Sequence, residues 1–547
     1  MSNRTVATAL LDLLARHGVT RAFGIPGVHN LPFWDCDPAT SPRIVGVRHE
    51  QAAGYAADGL HRATGQPGIA LLTSGPGAAN VVAAFGEAVA SGSALIALAS
   101  EVGVAHRSVG GPRGLLHEMA DQGAMFAAFG APARAARTRQ EAMAAVVLAL
   151  RDAWGPPPQA SYVGVPSDIL GEPWTAAIPH IPRLPAPVAD PHRIGGLAEI
   201  VGQAPRVALW LGGGVVAAGA EAAARTLAQR LGAPVFTSYA GRGLLAGDPL
   251  LVDLPVHEPE AGRVLAEADL LLIIGSSFDG MNTMNWRLPL PPRRAAITLG
   301  AQVAQTIDLD CLIPADAAHG IAALLEALDA DGVAARAPWA GTGQVRAAAI
   351  ERILADPRTA DAIRMVQAVD AAWPAEGAVV CDMAVAGYWY GGYSQQPRPR
   401  RLQYPVGWGT LGYALPAAIG PASVGIPTLA VCGDGGPMFA LGELATYAQE
   451  SLPITLLVVD DGGYGMLRFD QQVSGRPERG VDLRGPEWAS LGAAFGITVE
   501  RVGEARQLGP ALRLAHEANV RGEPRLVVWE QRFYPPRTTS PRWSEPG

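Results

Sequence analysis

Two short strings late in the chain carry the residue types of a cation site. Gly433-Asp434-Gly435 follows the apolar run TLAVCGD (428–434). Asp460-Asp461-Gly462-Gly463-Tyr464-Gly465 closes the run ITLLVVDD (454–461), with Asp461 27 positions after Asp434. The segment MFALGELATYAQ (438–449) between them reads as one continuous helix. A right-handed crossover returns the second strand parallel to the first, about 4.8 Å away if the two are neighbours. Asp434 and Asp461 then stand side by side at the carboxyl ends, where open α/β sheets bind ligands. One or two carboxylates plus phosphate oxygens suit Mg²⁺. A helix start after Gly436 offers free N–H groups to a diphosphate, and the glycines permit close backbone approach. Either aspartate alone reads better as a cap or turn residue. The whole string reads as a ligand site.

A second group lies in the first third. RHEQAAGYAADG (48–59) puts Glu50 at the end of the strand RIVGVRH (43–49) and the start of a helix over 50–65. On spacing alone Glu50 is a first-turn glutamate favoured by the helix dipole. His29, His117, Gln122 and Arg468 are candidates for the substrate side, each with an equal reading as a structural polar residue. The fork of Arg468 suits a carboxylate.

The elements that must position these residues follow from apolar runs alternating with helical stretches. The first third has 43–49, GIALLTS (68–74), SALIALAS (93–100) and ASYVGVPSD (160–168). The middle has RVALWLGGG (206–214), APVFTS (233–238), DLLLIIGSS (269–277) and AAITLG (295–300). The last third adds GAVVCDM (377–383) and PRLVVWE (524–530). Continuous apolar strands alternating with helices predict an α/β protein of three doubly wound parallel-sheet domains. The expected ranges are 1–170, 190–335 and 355–547. A linker over 171–193 with six prolines separates the first two, and the second boundary falls near 335–358. Gly212-Gly213-Gly214 is a weak nucleotide-loop signal, better read as a tight turn. The tail after Glu530 reads as irregular, a strap or a lid.

With 547 residues, 49% hydrophobic and 17% charged, the chain can bury large cores. A net charge of −8 argues against nucleic acid or an anionic membrane as partner. The 4 cysteines form no C-x-x-C pair and fit a reducing cytoplasm. The N-terminus reads as an amphipathic helix, not a signal peptide, and no apolar run is long enough to span a membrane.

The strings at 433–435 and 460–465 resemble the cofactor motif of thiamine diphosphate enzymes, which begins G-D-G and ends in an Asn-Asn pair. The resemblance implies that Asp434, the side chain at 461 and the carbonyl of Gly463 hold Mg²⁺, which holds the diphosphate. It places Gly435, Gly436, Tyr464, Gly465 and Pro26 (in GIPGVHN, 24–30) against the cofactor. Both family asparagines are aspartates here. Asp461 can still ligate through oxygen, but its charge should weaken diphosphate binding unless another cation compensates. In the family a strand-end glutamate in an H-E-x-x-A context bonds the aminopyrimidine N1′. Glu50 inherits that role, sharing a proton with the ring so that the thiazolium C2 can be deprotonated. GWGTLGYALPAAIG (407–420) resembles the segment that bends the cofactor, with the Gly409 carbonyl accepting from the 4′-amino group and Leu411 wedged between the rings. The three domains become pyrimidine-binding, central and diphosphate-binding. The family architecture implies a homo-oligomer with Glu50 and Asp434 serving one site from different chains.

TSGPGAAN (73–80) resembles the acetolactate synthase branch. GIPGVHN, RHEQ (48–51) and L-H-E-x-x-D-Q (116–122) resemble its 5-guanidino-2-oxopentanoate decarboxylase-like members. His117 takes roughly the place of a glutamine in acetolactate synthases. Ser277 and Met281 stand where flavin-binding arginines would be, so no FAD is expected. The expectation is thiamine-dependent C–C cleavage or formation on a 2-oxo acid, with protonation to an aldehyde or capture by a second carbonyl. The rivals are a non-catalytic or regulatory homologue, which the aspartates at 460–461 favour, and a Rossmann-type NAD(P) oxidoreductase, which lacks a full G-x-G-x-x-G.

Overall fold

The computed structural model describes residues 4–106 and 113–543. Its described strands form three sheets in which every strand pair is parallel. The first sheet holds β1 (Arg21–Gly24), β2 (Arg43–Gly46), β3 (Gly68–Leu72), β4 (Leu95–Glu101), β5 (Ala133–Ala135) and β6 (Ser161–Pro166), in the order β2-β1-β3-β4-β6-β5. The second holds β7 (Val207–Leu211), β8 (Val235–Thr237), β9 (Leu270–Ile274), β10 (Arg293–Ile297) and β11 (Cys311–Ile313), in the order β11-β10-β9-β7-β8. The third holds β12 (Ala378–Cys381), β13 (Leu402–Gln403), β14 (Thr428–Gly433), β15 (Ile454–Asp460), β16 (Thr498–Val502) and β17 (Arg525–Glu530), in the order β13-β12-β14-β15-β17-β16. The first and third sheets thus repeat one topology. The order reverses between β1 and β3 in one and between β12 and β14 in the other, and each reversal opens a crevice at the strand tips.

The expected α/β class holds. β3, β4, β6, β7 and β9 are buried along their whole length, as parallel strands covered on both faces must be. The strands without a sequence forecast are β1, β5, β11, β13 and β16. All but β1 lie at sheet edges, and β16 alternates too little buried surface to leave an apolar pattern.

Two local expectations change and one holds. The segment 438–449 is not one helix: a 3₁₀ turn Gly436–Phe439 and a second at Leu441–Glu443 precede a short α-helix, Leu444–Gln449. Pro437 and the non-helical Ala440 (φ −139°, ψ 26°) break it. Pro191 is not linker but the first residue of the helix Pro191–Gln203, capped by Asp190, because proline is tolerated where no N–H is needed. Gly212 and Gly214 pack on the Gly275–Ser276 backbone, the tight-turn reading. The tail lies along the molecule as a strap. The indole of Trp389 donates to the Tyr534 carbonyl, Arg537 approaches Glu258, and Trp543 lies beside His257. Residues 544–547 of that tail, and 1–3 of the N-terminal helix segment, fall outside the described residues.

The first and third sheets share one core through two crossed helices. Glu50–Thr64 starts at His49, whose Nδ1 accepts from the Gln51 amide, and ends at left-handed Gly65 (φ 76°). It crosses Ala414–Ala422 at backbone distance. A Cβ on Gly59 would strike the Ala417 carbonyl, and one on Gly420 would strike the Ala56 carbonyl and the Leu60 amide. Backbone cannot yield as a side chain can. Gly420→Leu is therefore expected to lower stability by about 1–3 kcal/mol or more, read as an earlier denaturation midpoint. Gly195→Ala, in open space on a helix, should leave it unchanged or slightly raised.

Candidate active site

β14 and β15 are neighbours, with Gly433 paired to Val459. Asp434 therefore faces Asp460 in register, and Asp461 stands one residue beyond. The two aspartates of 460–461 then part ways. Asp460 is satisfied, accepting from the Trp488 indole (2.7 Å) and the Gly462 amide (3.1 Å). Asp434 is 2% exposed, and its Oδ1 is buried without a hydrogen-bond partner. Asp461 Oδ1 is orphaned in the same way. Burial, then the charges of Asp460 and Asp461, push the Asp434 carboxyl up to about 7. Burial also raises Asp461, while Arg468 and Arg532 pull it down. Buried carboxylate oxygens without a hydrogen-bond donor are what a hard cation satisfies. Among the described residues no cluster of three or more potential ligand side chains forms, so the remaining ligands would be backbone and phosphate oxygens.

The loop after β15 is built for close approach. Gly463 (φ 149°) has no room for a Cβ beside the Val481 carbonyl. Tyr464 N donates to Val481 O and Leu483 N to Gly462 O, two bonds that skip the Gly463 carbonyl. A Cβ on Gly465 would hit the Asp461 carboxylate, and one on Gly435 would sit 2.6 Å from the Tyr464 ring. Gly436 packs 2.6 Å, at a hypothetical Cβ, from Asp382 Oδ2. Asp382 itself escaped the sequence reading. It follows β12, the strand beside β14, and accepts from the Gly412 amide (2.9 Å) and the Met383 amide (2.8 Å). Burial pushes its carboxyl up to about 6. Through Gly412 it anchors the end of the Gly409–Leu411 segment, with Gly409 at φ 77°, and it packs against Gly436. Glu87, buried in the helix Val82–Ala90, grips that segment from the other side, accepting from the Trp408 amide (3.2 Å) and Thr410 Oγ1 (3.1 Å).

The structure thus brings Asp434, Asp461, Gly435, Gly436, Gly463, Tyr464 and Gly465 together, with Gly409 and Leu411 alongside. Arg468 lies in the first turn of the helix Gly465–Val473 that follows this loop. Its guanidinium holds Asp482 Oδ1 (2.9 Å) and the Gly462 carbonyl (3.0 Å), with Nη1 4.0 Å from Asp461. Its donors face the loop that carries the cation ligands.

Glu50, Pro26, His29, His117 and Gln122 are grouped on the first sheet. Glu50 is the first residue of its helix, and Asn80 Nδ2 donates to its Oε2 (3.0 Å). The two amides preceding it, on Arg48 and His49, are held by Glu443 Oε1. Gly77, in the short helix Pro76–Asn80 that follows the turn after β3, would place a Cβ 3.3 Å from Glu50 Oε1. Gln122 locks that turn, accepting from the Gly75 amide (2.7 Å) and donating to Ser100 O and Tyr162 Oη. Pro26 is exposed in the loop after β1, which Asn30 staples by accepting from Gly27 N (2.7 Å) and donating to Ile25 O (3.1 Å). His29 Nδ1 reaches Ser74 Oγ at 2.5 Å, and Ser74 Oγ lies 3.4 Å from His117 Nδ1.

Three family models match along the chain: the thiamine pyrophosphate enzyme N-terminal TPP binding domain over 4–125, the central domain over 194–324 and the C-terminal TPP binding domain over 382–528. The chain belongs to the thiamine pyrophosphate enzyme family. It is 34% identical to a probable 2-ketoarginine decarboxylase AruI of Pseudomonas aeruginosa over 93% of this chain and 91% of that one. It is 27% identical to a probable acetolactate synthase large subunit of Methanocaldococcus jannaschii (95% and 91%) and 29% identical to the acetolactate synthase large subunit of Corynebacterium glutamicum (94% and 85%). The loops at Asp434 and Asp461 fall within the C-terminal TPP binding match, and Glu50 within the N-terminal one.

The orphaned oxygens and the all-oxygen donor set fit a magnesium diphosphate. The compensating cations that an aspartate at 461 calls for are present as Arg468 and, through the Asp461 carbonyl at 3.1 Å, Arg532. Asp461→Asn should weaken Mg²⁺ binding measured alone, yet strengthen thiamine diphosphate binding at saturating Mg²⁺ by about fivefold, the scale of one partly screened charge. Asp434→Asn should abolish both and leave the cofactor-free protein as stable or more so. Titration calorimetry and thermal unfolding read these outcomes.

Proposed function

We propose that this chain is a thiamine diphosphate- and Mg²⁺-dependent enzyme that cleaves, or makes, the C–C bond next to the carbonyl of a 2-oxo acid. The observation that carries this reading is the pair of buried carboxylate oxygens on Asp434 and Asp461, neither with a hydrogen-bond partner, inside the C-terminal TPP binding match. When bound, thiamine diphosphate supplies a carbon nucleophile and an electron sink for the bond that breaks. Asp434, Asp461 and the Gly463 carbonyl hold Mg²⁺. Gly435, Gly436, Tyr464 and Gly465 line the diphosphate, and Gly409, Leu411 and Pro26 meet the ring system. Glu50 holds a proton at the pyrimidine nitrogen, with its carboxylate steadied by Asn80. The similarity to a probable 2-ketoarginine decarboxylase supports a decarboxylation on a long 2-oxo acid, and that to acetolactate synthases supports capture by a second carbonyl.

The working unit is at least a dimer. Large apolar side chains stand exposed beside both half-sites: Val28, Leu31 and Leu116 on the first, Trp408, Phe439 and Leu467 on the second. Apolar surface next to site residues marks an interaction face, and a second copy of the chain offers each half-site its complement.

With a panel of 2-oxo acids, including one bearing a guanidino tail, the wild type should release carbon dioxide only with thiamine diphosphate and Mg²⁺ present. Glu50→Gln should lose roughly 100-fold or more of that rate while binding the cofactor with unchanged affinity. Equal turnover by the two proteins would overturn the assignment of Glu50. No cofactor-dependent turnover of any 2-oxo acid would overturn the reaction class.

A further inference from the structure

Glu443 closes the second 3₁₀ turn of the crossover that leads from Asp434 to β15, and it is 1% exposed. Both of its oxygens are engaged. Oε1 accepts from two consecutive amides of the first domain, Arg48 N (2.8 Å) and His49 N (3.1 Å), and Oε2 accepts from Thr446 Oγ1 (2.6 Å). One oxygen that accepts two main-chain N–H bonds fixes two peptide planes at once, and an ionised acceptor makes each bond stronger than a neutral one. The helix Leu444–Gln449 that follows Glu443 is itself anchored, with Tyr447 Oη donating to the Leu415 carbonyl (2.5 Å).

The two peptides that Glu443 holds span the passage from strand to helix. β2 ends its pairing with β1 at Gly46, and Val47 N donates to the Gly24 carbonyl. The helix Glu50–Thr64 makes its first backbone bonds at Ala52 and Ala53, both to the His49 carbonyl. Glu50 stands between these two ladders, at the first helical position, where an amide has no partner inside its own helix. β2 is moreover an edge strand. The start of the Glu50 helix is thus set in space by a residue of the C-terminal domain. Arg48 Nη2 on Gln449 Oε1 (2.6 Å) and Arg43 Nη2 on Glu450 Oε2 (2.5 Å) join the same elements. Those links run through long exposed side chains, whereas Glu443 holds the main chain itself.

We propose that Glu443 is a positioning residue for Glu50: its carboxylate clamps the strand-to-helix junction and so delivers the Glu50 carboxyl to the pyrimidine nitrogen. This rests on the role given to Glu50 above. A proton is shared between two heavy atoms only within about 2.6–3.2 Å, and a misplacement of about 1 Å costs on the order of 100-fold in rate. The clamp works through an acceptor oxygen. Glutamine offers a carbonyl oxygen on a side chain of the same length and can take the same two amides. Aspartate is one methylene too short to reach them from the same backbone, and alanine has no acceptor.

Two measurements separate positioning from support of the fold. In the cofactor-free protein, hydrogen exchange over the peptides covering 47–53 should speed up by about 10-fold or more in Glu443→Ala and Glu443→Asp. It should stay near the wild-type rate in Glu443→Gln, and the peptides of β3 and β4 should exchange as before. In protein loaded with thiamine diphosphate and Mg²⁺, NMR of quenched samples reads how fast the thiazolium C2 proton exchanges with deuterium. That rate should fall about 100-fold in Glu443→Asp and Glu443→Ala with cofactor affinity kept, and Glu443→Gln should recover most of it. If Glu443→Ala does not fold, Glu443→Asp carries both measurements. Wild-type amide exchange at 48–49 in the aspartate variant would overturn the clamp. A wild-type C2 rate in that variant would overturn the positioning role even with the amides loosened. Glu50→Gln is the control: it should slow the C2 rate as strongly while leaving amide exchange at 48–49 unchanged. If it leaves the C2 rate at the wild-type value, the role of Glu50 fails and the positioning role falls with it. If it slows that rate and Glu443→Asp does not, the positioning role alone falls.

Discussion

Two like charges at adjacent strand tips set the terms for the C-terminal half of this molecule. Asp434 and Asp461 are brought together by the parallel pairing of β14 with β15, and each is left with an oxygen that no protein donor satisfies. Burial of an unpaired carboxylate is costly unless it is neutralised or coordinated. The surroundings are arranged to moderate the cost without removing it. Arg468 stands near Asp461 but spends its strongest bonds on Asp482 and the Gly462 carbonyl, and Asp460 turns aside to Trp488. What remains are two strand tips with oxygen donors only, the chemistry that suits a small divalent ion bearing phosphate oxygens.

The first and third sheets use the same strand order for different chemistry. In each, the crevice lies where the order reverses. At the β12/β14 crevice the tips carry Asp382 and Asp434 and favour a cation with its anion. At the β1/β3 crevice they carry the imidazole of His29 hydrogen-bonded to the neutral hydroxyl of Ser74. In the central sheet the corresponding crevice, between β7 and β9, is closed by the packing of Gly212 and Gly214 on Gly275. One architecture thus yields an acidic tip, an imidazole–hydroxyl tip and a filled one, through the few residues that follow each strand.

Much of this was legible because it is local. Asp434 and Asp461 end the two strands of a single crossover, so their proximity follows from strand assignment alone. The buried strands announce themselves as unbroken apolar runs, whereas β5, β11, β13 and β16 lie at edges and leave little pattern. The supporting residues were not legible, because their partners are distant in sequence. Glu87 grips Thr410, Glu443 holds the amides of Arg48 and His49, and Asp382 takes the Gly412 amide. Asp382 had the best available signal, an aspartate closing GAVVCDM on a strand destined to lie beside TLAVCGD. The break in 438–449 also came from outside the helical pattern, since Pro437 and Ala440 bend the chain so that Phe439 packs over Gly412.

The strap after β17 bears on how the domains are held. Tyr534 and Trp543 fasten it to elements of both the C-terminal and the central domain. It lies over the indole of Trp389 and beside the buried carboxylate of Glu258. Exposed irregular segments are the preferred sites of proteolytic nicking, so a single cut between Gln531 and Tyr534 would open the seam between the second and third domains while leaving every sheet whole.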